Sequence, residues 1–353
     1  MPKLCMMRYG CTLSFTRGLS GKDMTDAQKH NKTANRGWTT ATTRNLTNWL
    51  MRLDFTRVPG TPYAMTLTIP ASHMNHITSR QLHRMLGTWI RTAKRYRGLL
   101  HYYWLIEFTA QGTPHIHMTV WCTQTRQAYN RHTRRYDAVL LPPYITQLVM
   151  VDDWLTICDH EHIPARAEAQ NVRPVDDTPE AWLAYTAKHS TRGVAHYQRR
   201  LDNMPPDWRE HPGAMWGHDR NIGDYQADWL ETGMDMHAFW KTRRLIRQQL
   251  ERQARRIPDP VKRGKAIAAT RRMLKHPLTR EERQHKQWME DNDMTFYPKS
   301  AFAGIRAWMT PEDQLAILDQ LIDEPHTGQP RSGQRQREIR RLCAVSSTVV
   351  YSV

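Results

Sequence analysis

Two short runs, at residues 65–70 and 102–108, have a pattern of residues that is typical of β-strands. Met65-Thr-Leu-Thr-Ile-Pro70 is one such run, and a proline closes it. A second run, Tyr102 to Phe108, is rich in the aromatic and β-branched residues that strands favour. Gln111 to Pro114 then supplies turn residues, so we expect the chain to reverse and return as a paired strand.

Elsewhere apolar residues recur at helical spacing or follow helix-start signals. We predict helices over residues 43–53, 177–189, 240–286 and 310–322. In the second of these, Thr178 can cap the first turn, Pro179 fits the first helical position, and Glu180 suits the positive end of the helix dipole. Strands and helices together predict an α+β protein.

The predicted hairpin carries the most distinctive residues of the chain. Glu107 lies near the end of the first strand, and the second strand contains His115 and His117. The two histidines point to one face because side chains alternate along a strand, and the hairpin can bring Glu107 opposite His115. Two imidazoles and one carboxylate suit a divalent metal ion that keeps open positions for a substrate.

Histidines also permit two other interpretations, a histidine pair without a metal and a zinc cluster elsewhere in the chain. A partly buried histidine pair without a metal competes with the metal site, since the chain contains 18 histidines and a short motif is only a hypothesis. Cys158-Asp-His-Glu-His162 resembles a zinc cluster but lacks a second pair of ligands. We predict a polar turn there.

Tyr185 and Lys188 share one face of the helix predicted over residues 177–189, because they are three residues apart. A metal ion can polarise a phosphate under attack by the tyrosine, and the ammonium group can stabilise phenolate or leaving-group charge. The pair is therefore a candidate nucleophile with its helper. The alternative is a core-facing tyrosine beside an exposed lysine.

The order of these three segments resembles that of the HUH endonucleases, and more closely the rolling-circle replication initiators of plasmids, filamentous phages and small circular single-stranded-DNA viruses. In that family the first motif is a short strand written like Met65 to Pro70. The second motif supplies metal ligands, matched here by Glu107, His115 and His117, and the third supplies the nucleophile, matched by Tyr185 with Lys188.

The resemblance implies a fold, a reaction and a cofactor. The fold would be α+β, with the metal ligands on an antiparallel central sheet flanked by helices and the Tyr185 helix packed across that face. The tyrosine would attack one phosphodiester of single-stranded or cruciform origin DNA, leaving a 5′-phosphotyrosine link and a free 3′-hydroxyl that primes replication. Mg²⁺ or Mn²⁺ is the expected metal, because carboxylate ligands and phosphate chemistry favour hard ions.

The chain departs from some members of that family in two respects. A second tyrosine does not follow Tyr185 closely, and we interpret Tyr197, twelve residues on, as a structural or DNA-stacking residue. The nucleotide-binding pattern G-x-x-x-x-G-K-[ST] does not occur in these 353 residues. We therefore expect a host helicase and a host polymerase as partners.

The charge balance indicates a nucleic-acid partner. Fifty-one basic against 34 acidic residues give a formal net charge of +17, and phosphate neutralisation would dominate affinity for DNA. The stretch 122–177 also contains a group of arginines that suggests a DNA-contacting insertion: Arg126, Arg131, Arg134 and Arg135. The chain has no long apolar span and five cysteines without a C-x-x-C pair, so we expect a cytoplasmic protein of a bacterial host with no membrane partner.

Two C-terminal segments are candidates for binding DNA. In the basic helical region the candidate contacts are Arg243, Arg244, Arg247, Arg255 and Arg256. A solvated amphipathic helix pair is the alternative there. Residues 336–351 are similar to the last two helices of a helix-turn-helix, which would read origin duplex, with a frayed helical tail as the alternative. The candidate contacts in that segment are Arg340, Arg341, Ser347 and Thr348.

These observations predict four parts: an N-terminal extension (1–58), an HUH endonuclease domain (59–225), a basic helical region (226–305) and a helix-turn-helix-like DNA-binding segment (306–353). The expected function is a site-specific, metal-dependent single-strand DNA endonuclease and strand transferase that initiates rolling-circle replication. An HUH relaxase or transposase would use the same chemistry for DNA mobility. A non-catalytic helix-turn-helix regulator would predict neither cleavage nor a metal requirement.

Overall fold

The computed structural model describes residues 2–15, 37–74, 76–123, 125–140, 142–175, 178, 192–274, 280–294 and 304–322. The chain divides into two compact units, one formed by residues 23–227 and the other by residues 1–22 with 228–353. Each unit contains an antiparallel sheet and helices, which confirms the α+β class.

The secondary-structure elements of the described residues are numbered along the chain. The strands are β1 (Pro2–Met7), β2 (Gly10–Phe15), β3 (Thr61–Thr68), β4 (Leu99–Phe108), β5 (Pro114–Cys122), β6 (Thr125–Asn130), β7 (Arg135–Leu140), β8 (Asn171–Pro174), β9 (Trp216–His218), β10 (Leu230–Gly233) and β11 (Ile305–Trp308). The α-helices are α1 (Thr40–Arg52), α2 (Ser79–Tyr96), α3 (Pro143–His160), α4 (Pro206–Glu210), α5 (Met236–Arg255), α6 (Pro260–Leu274), α7 (Arg280–Glu290) and α8 (Pro311–Ile322).

A five-stranded antiparallel sheet in the order β8-β3-β5-β4-β9 is the centre of the 23–227 unit. Side chains of β4 alternate between its two faces, so Trp104 and Ile106 share one face while Tyr103 and Glu107 share the other. Helix α2 covers the first face, where its His83 ring lies 5.7 Å from the Trp104 ring. Strands β6 and β7 form a separate two-stranded hairpin.

Helix α1 lies against the other face of this sheet. Its Trp49 stacks on His218 of β9 at 4.6 Å between ring centroids and contacts Tyr103 of β4 at 5.7 Å. The helix was predicted from residue 43, but it begins at Thr40 because the Thr39 hydroxyl accepts a hydrogen bond from the Thr42 amide at 3.0 Å.

The second unit has a four-stranded antiparallel sheet in the order β10-β1-β2-β11. Residues 2–15, for which the sequence analysis predicted no strand, form the two central strands. The apolar face of the sheet packs with α5 and α8 around a core that includes Leu4, Leu13, Phe239 and Ile317. Predicted helix 310–322 is confirmed as α8, and its first turn is capped by the Thr310 hydroxyl, which accepts from the Asp313 amide at 3.2 Å.

One prediction about local structure is wrong in part, and another falls almost entirely outside the described residues. The polar turn predicted over residues 158–162 is wrong for its first half, because Cys158 to His160 form the last turn of α3 and Cys158 is buried. The helix predicted over residues 177–189 lies outside the described residues, except for Thr178. Within the described part of the chain, no helix combines the length and apolar content that a membrane span requires.

Candidate metal centre

A tight turn between β4 and β5 sets the register of the candidate site. Gly112 adopts φ +81°, a left-handed conformation that glycine tolerates best. The Thr109 amide donates to the Thr113 carbonyl at 2.8 Å, and the Gly112 amide donates to the Thr109 carbonyl at 3.0 Å. Because the turn is short and closed by these bonds, the pairing of the two strands next to it is fixed.

That pairing places Glu107 directly opposite His115, as the sequence predicted, and Leu105 opposite His117. On the other side of β5, strand β3 pairs Thr68 with His115 and Thr66 with His117. Residues opposite each other in an antiparallel pair share a face. The carboxylate, both imidazoles and the two threonine side chains therefore lie on one face of the sheet.

Glu107, His115 and His117 form a compact group that could hold a metal ion. One ligand atom from each lies within 4.8 Å of the others, and His117 Nε2 is 3.6 Å from Glu107 Oε2. Ligands bound about 2.1 Å from one ion lie roughly 3 to 4 Å apart, so small side-chain movements would bring these atoms onto an ion. The Glu107 side chain is 0% exposed and that of His117 12%, so the group is largely closed to solvent.

Thr66 orients the His117 ring. Its hydroxyl lies 3.2 Å from His117 Nδ1, so the other ring nitrogen, Nε2, is the one that faces Glu107. Histidine ligands of metals usually bond through their second nitrogen in this way, which fixes both the tautomer and the ring plane. The set of one carboxylate and two imidazoles therefore fits a divalent ion.

Two arginines that the sequence analysis missed contact the Glu107 carboxylate. Arg199 Nε donates to Oε1 at 2.8 Å, and Arg192 Nη1 donates to Oε2. Burial lowers the pKa of the Arg199 guanidinium, and the charge of Glu107 acts in the opposite direction. Arginines are common throughout this chain, so only the fold distinguishes these two.

A cleft of about 460 Å³ opens beside the cluster. It lies at the end of β3 and against the β4–β5 turn, and its polar lining comes from Thr68, Ser72, Thr109, Gln111, Thr113 and Arg166. Thr68 is the cross-strand neighbour of His115. The cleft, which is also lined by apolar residues such as Ile69 and Pro164, therefore lies next to the cross-strand neighbour of one candidate metal ligand.

The remaining candidate residues differ in where they lie. Tyr185 and Lys188, as well as Arg340, Arg341, Ser347 and Thr348, are outside the described residues. Arg244, Arg255 and Arg256 are exposed and Arg247 is partly exposed, whereas Arg243 is buried and its pKa is lowered by that burial. Because it is buried, Arg243 is not part of the DNA-binding surface that we propose below.

The insertion between the second and third motifs exposes a basic hairpin tip. Arg131, Arg134 and Arg135 at the β6–β7 turn are exposed, and Arg134 has φ +53°. Tyr197 is 46% exposed, and its ring lies 4.6 Å from that of His196.

Comparison with known proteins points to DNA replication. Residues 62–192 match the family model of the replication-associated protein ORF2/G2P. A protein of Xylella fastidiosa (strain Temecula1 / ATCC 700964), provisionally named a replication protein, is 29% identical over 249 residues, which cover 67% of this chain and 81% of the relative. Replication-associated protein G2P of Pseudomonas phage Pf3 is 27% identical over 220 residues, 60% of this chain and 67% of the phage protein. No solved structure matches the chain.

Proposed function

We propose that this chain is a replication initiator of the Rep type, which starts rolling-circle replication by nicking one DNA strand. The match of residues 62–192 and the relatives support this proposal. The nick would be made at the origin, in single-stranded or cruciform DNA, by transesterification onto a tyrosine. The observation that carries this proposal is the buried group of Glu107, His115 and His117, which lies inside the matched segment.

Glu107, His115 and His117 would hold a single Mg²⁺ or Mn²⁺ ion. The bound ion would polarise the scissile phosphate and offset the charge that develops on its oxygens. Thr66 would keep His117 Nε2 directed at the ion through its contact with Nδ1. The cleft beside Thr68 would receive the nucleotide next to that phosphate.

Tyr185 is the proposed nucleophile, and Lys188 its helper. As the bond between the Tyr185 oxygen and phosphorus forms, the bond between phosphorus and the 3′-oxygen breaks. The phenol proton is lost and the 3′-oxygen gains one, so no co-reactant is consumed. The Lys188 ammonium would stabilise the phenolate or the leaving oxygen, and the retained ester would later permit strand rejoining.

Other basic residues would bind the DNA on either side of the nick. The exposed tip of the β6–β7 hairpin presents Arg131, Arg134 and Arg135, and arginine contacts phosphates well through its planar fork. In the second unit Arg244, Arg247, Arg255 and Arg256 would contact backbone, and Arg340, Arg341, Ser347 and Thr348 would contact origin duplex. We propose host helicase and polymerase as further partners.

The metal requirement gives the test of this proposal. A labelled oligonucleotide from the protein's own replicon would be incubated with Mn²⁺, with Mg²⁺ or with EDTA. We expect cleavage with either ion and none with EDTA. Glu107→Gln should lower the cleavage rate at least about 100-fold, because it removes the anionic ligand.

Glu161→Gln is the matched control, because Glu161 belongs to the same unit but pairs with Arg84 at 2.7 Å, away from the cluster. This variant should cleave at the rate of the unchanged protein. Cleavage that persists in EDTA, or in Glu107→Gln, would refute the metal centre. Tight binding of the origin without cleavage under any condition would favour the non-catalytic regulator.

A further inference from the structure

Arg199 is a buried cation with three different contacts. Its side chain is 0% exposed, and its Nε donates to Glu107 Oε1 at 2.8 Å. Its guanidinium carbon lies 3.9 Å from the centre of the Trp38 ring. Its Nη1 also donates to the backbone carbonyl of Arg192.

Together with a hydrogen bond from Trp38, these contacts hold Glu107 in place. The Trp38 indole nitrogen donates to the carbonyl of Ile106 at 2.8 Å, so the ring that stacks on Arg199 is itself attached to the residue before Glu107. The guanidinium plane is thus fixed on one side by the ring and at its edge by the carboxylate. A carboxylate held in this way has little freedom to rotate about its last bond.

The two carboxylate oxygens have different neighbours. Oε1 is taken by Arg199, whereas Oε2 lies 3.6 Å from His117 Nε2 and also accepts from Arg192 Nη1. Arg192 is 15% exposed at its side chain, so it is the less enclosed of the two cations. The oxygen that faces His117 is therefore not the one that Arg199 holds.

We propose that Arg199 is a positioning residue, which fixes Glu107 so that Oε2 faces His117. Arg199 would also tie the backbone after the Tyr185 segment to the same carboxylate. This inference rests on the proposed metal centre. The tie runs through the Arg192 carbonyl, seven residues beyond Tyr185. Arg199 would therefore connect the proposed metal ligand Glu107 to the backbone that follows the proposed nucleophile.

The chemistry of arginine supports a geometric role. Taking a guanidinium fully out of water is unfavourable, and a buried ion pair often contributes little net stability. A planar fork, however, holds a carboxylate oxygen in a defined direction while stacking on an aromatic ring, which a lysine cannot do. Groups that orient metal ligands in this way typically change metal affinity about 10- to 100-fold when they are replaced.

Mn²⁺ binding distinguishes this role from a purely electrostatic one. Arg199→Lys keeps the charge but loses the fork, whereas Arg199→Met removes the charge and keeps much of the length. If Arg199 positions Glu107, both variants should bind Mn²⁺ about 10-fold or more weakly. If Arg199 acts only through its charge, Arg199→Met should bind Mn²⁺ more tightly, because a cation next to the site has been removed.

The experiment is a Mn²⁺ titration of the full chain, in which the free ion is followed by electron paramagnetic resonance. The matched controls are Arg200→Lys and Arg200→Met, since Arg200 is adjacent in sequence but half exposed, with Asp202 3.6 Å away. Both controls should bind like the unchanged protein. Trp38→Phe, which keeps a ring but loses the indole hydrogen bond, should weaken binding in the same direction as Arg199→Lys.

Each outcome decides the inference. Unchanged affinity in Arg199→Lys and in Trp38→Phe would overturn it, as would tighter binding in Arg199→Met. If Arg199→Met fails to fold, Arg199→Lys and Trp38→Phe still decide. Failure of the unchanged protein to bind Mn²⁺, or equal binding by Glu107→Gln, would remove the proposed metal centre and this inference together. Weaker Mn²⁺ binding in both Arg199 variants, with unchanged binding in both Arg200 controls, supports the inference.

Discussion

The hydroxyl of Thr66 determines which nitrogen of His117 is offered to a metal ion. The hydroxyl lies 3.2 Å from Nδ1, and Nε2 then faces Glu107. Threonine is otherwise an ordinary strand residue, since its branched side chain suits a pleated sheet. The same residue therefore serves the fold through its shape and the site through its oxygen.

Thr66→Val tests this role at the scale of one atom group. Valine keeps the shape and removes the hydroxyl, so we expect Mn²⁺ affinity to fall about 10-fold with the fold retained. Thr119→Val is the control, because Thr119 is buried on the same face but is paired with Tyr103 rather than with a ligand. Calorimetric titration with Mn²⁺ measures both variants. An equal loss in the two would show that packing, and not orientation of His117, accounts for the change.

The candidate metal ligands could be predicted from the sequence, but the residues that contact Glu107 could not. Glu107, His115 and His117 were found because a hairpin with a short turn has a register that can be counted from the turn. Arg199 and Trp38 lie 92 and 69 residues from Glu107 along the chain. Contacts over such separations depend on the complete fold, and a single arginine or tryptophan carries no local signal of them.

At the scale of elements, Asp219 links helix α2 and strand β4. It follows β9 directly, and its side chain is 7% exposed. Oδ1 accepts from Lys94 of α2 at 2.7 Å, and Oδ2 lies 3.1 Å from Nδ1 of His101 in β4. Burial by itself raises the pKa of the Asp219 carboxyl, but the hydrogen bonds from Lys94 and His101 outweigh it, so the pKa lies below its usual value.

Asp219→Asn should lower the free energy of unfolding by about 2 kcal/mol at pH 7, because it removes hydrogen bonds to a charged group. A carboxyl whose pKa is lowered on folding stabilises the folded state above its unfolded pKa, about 3.9, and loses that contribution as the pH falls through the folded value. The difference between the variant and the unchanged protein should therefore persist at pH 5 and shrink below about pH 4.

Urea unfolding at several pH values measures this difference. Asp224→Asn is the control, because Asp224 lies five residues further along the chain and is exposed. It should unfold like the unchanged protein at every pH. A difference for Asp219→Asn that is the same at pH 7 and at pH 3.5 would mean that its charge contributes nothing.

The elements that were predicted carry a clear local signal of a turn or a helix cap. Strands β4 and β5 are joined by a four-residue turn signal, and α8 begins at a threonine cap, so both were visible in the sequence. Strands β1 and β2 pair with each other across a short turn, and their outer partners β10 and β11 lie more than 200 residues away. The alternation of Leu4 and Met6 was therefore a local signal that the prediction overlooked, whereas the pairing with β10 and β11 depends on the complete fold.

At the scale of the whole molecule, charge and homology indicate the same kind of partner. A formal net charge of +17 favours polyanions, and the matched family and the relatives are replication proteins. Charge alone cannot distinguish a nickase from a regulator, because both bind phosphate. The proposed nickase accounts for the buried carboxylate with two histidines, which a regulator leaves unexplained.

Mapping the covalent link between protein and DNA tests the central claim most directly. The protein would react with its origin oligonucleotide and Mn²⁺, then be digested after lysine and arginine and analysed by mass spectrometry. Such digestion, with a protease that spares the Arg173–Pro174 bond, puts Tyr185 and Tyr197 in different peptides, residues 167–188 and 193–199. We predict a nucleotide adduct on Tyr185 that disappears with EDTA and in Tyr185→Phe but survives in Tyr197→Phe. An adduct on the peptide of Tyr197, or no adduct although the strand is cut, would contradict the account.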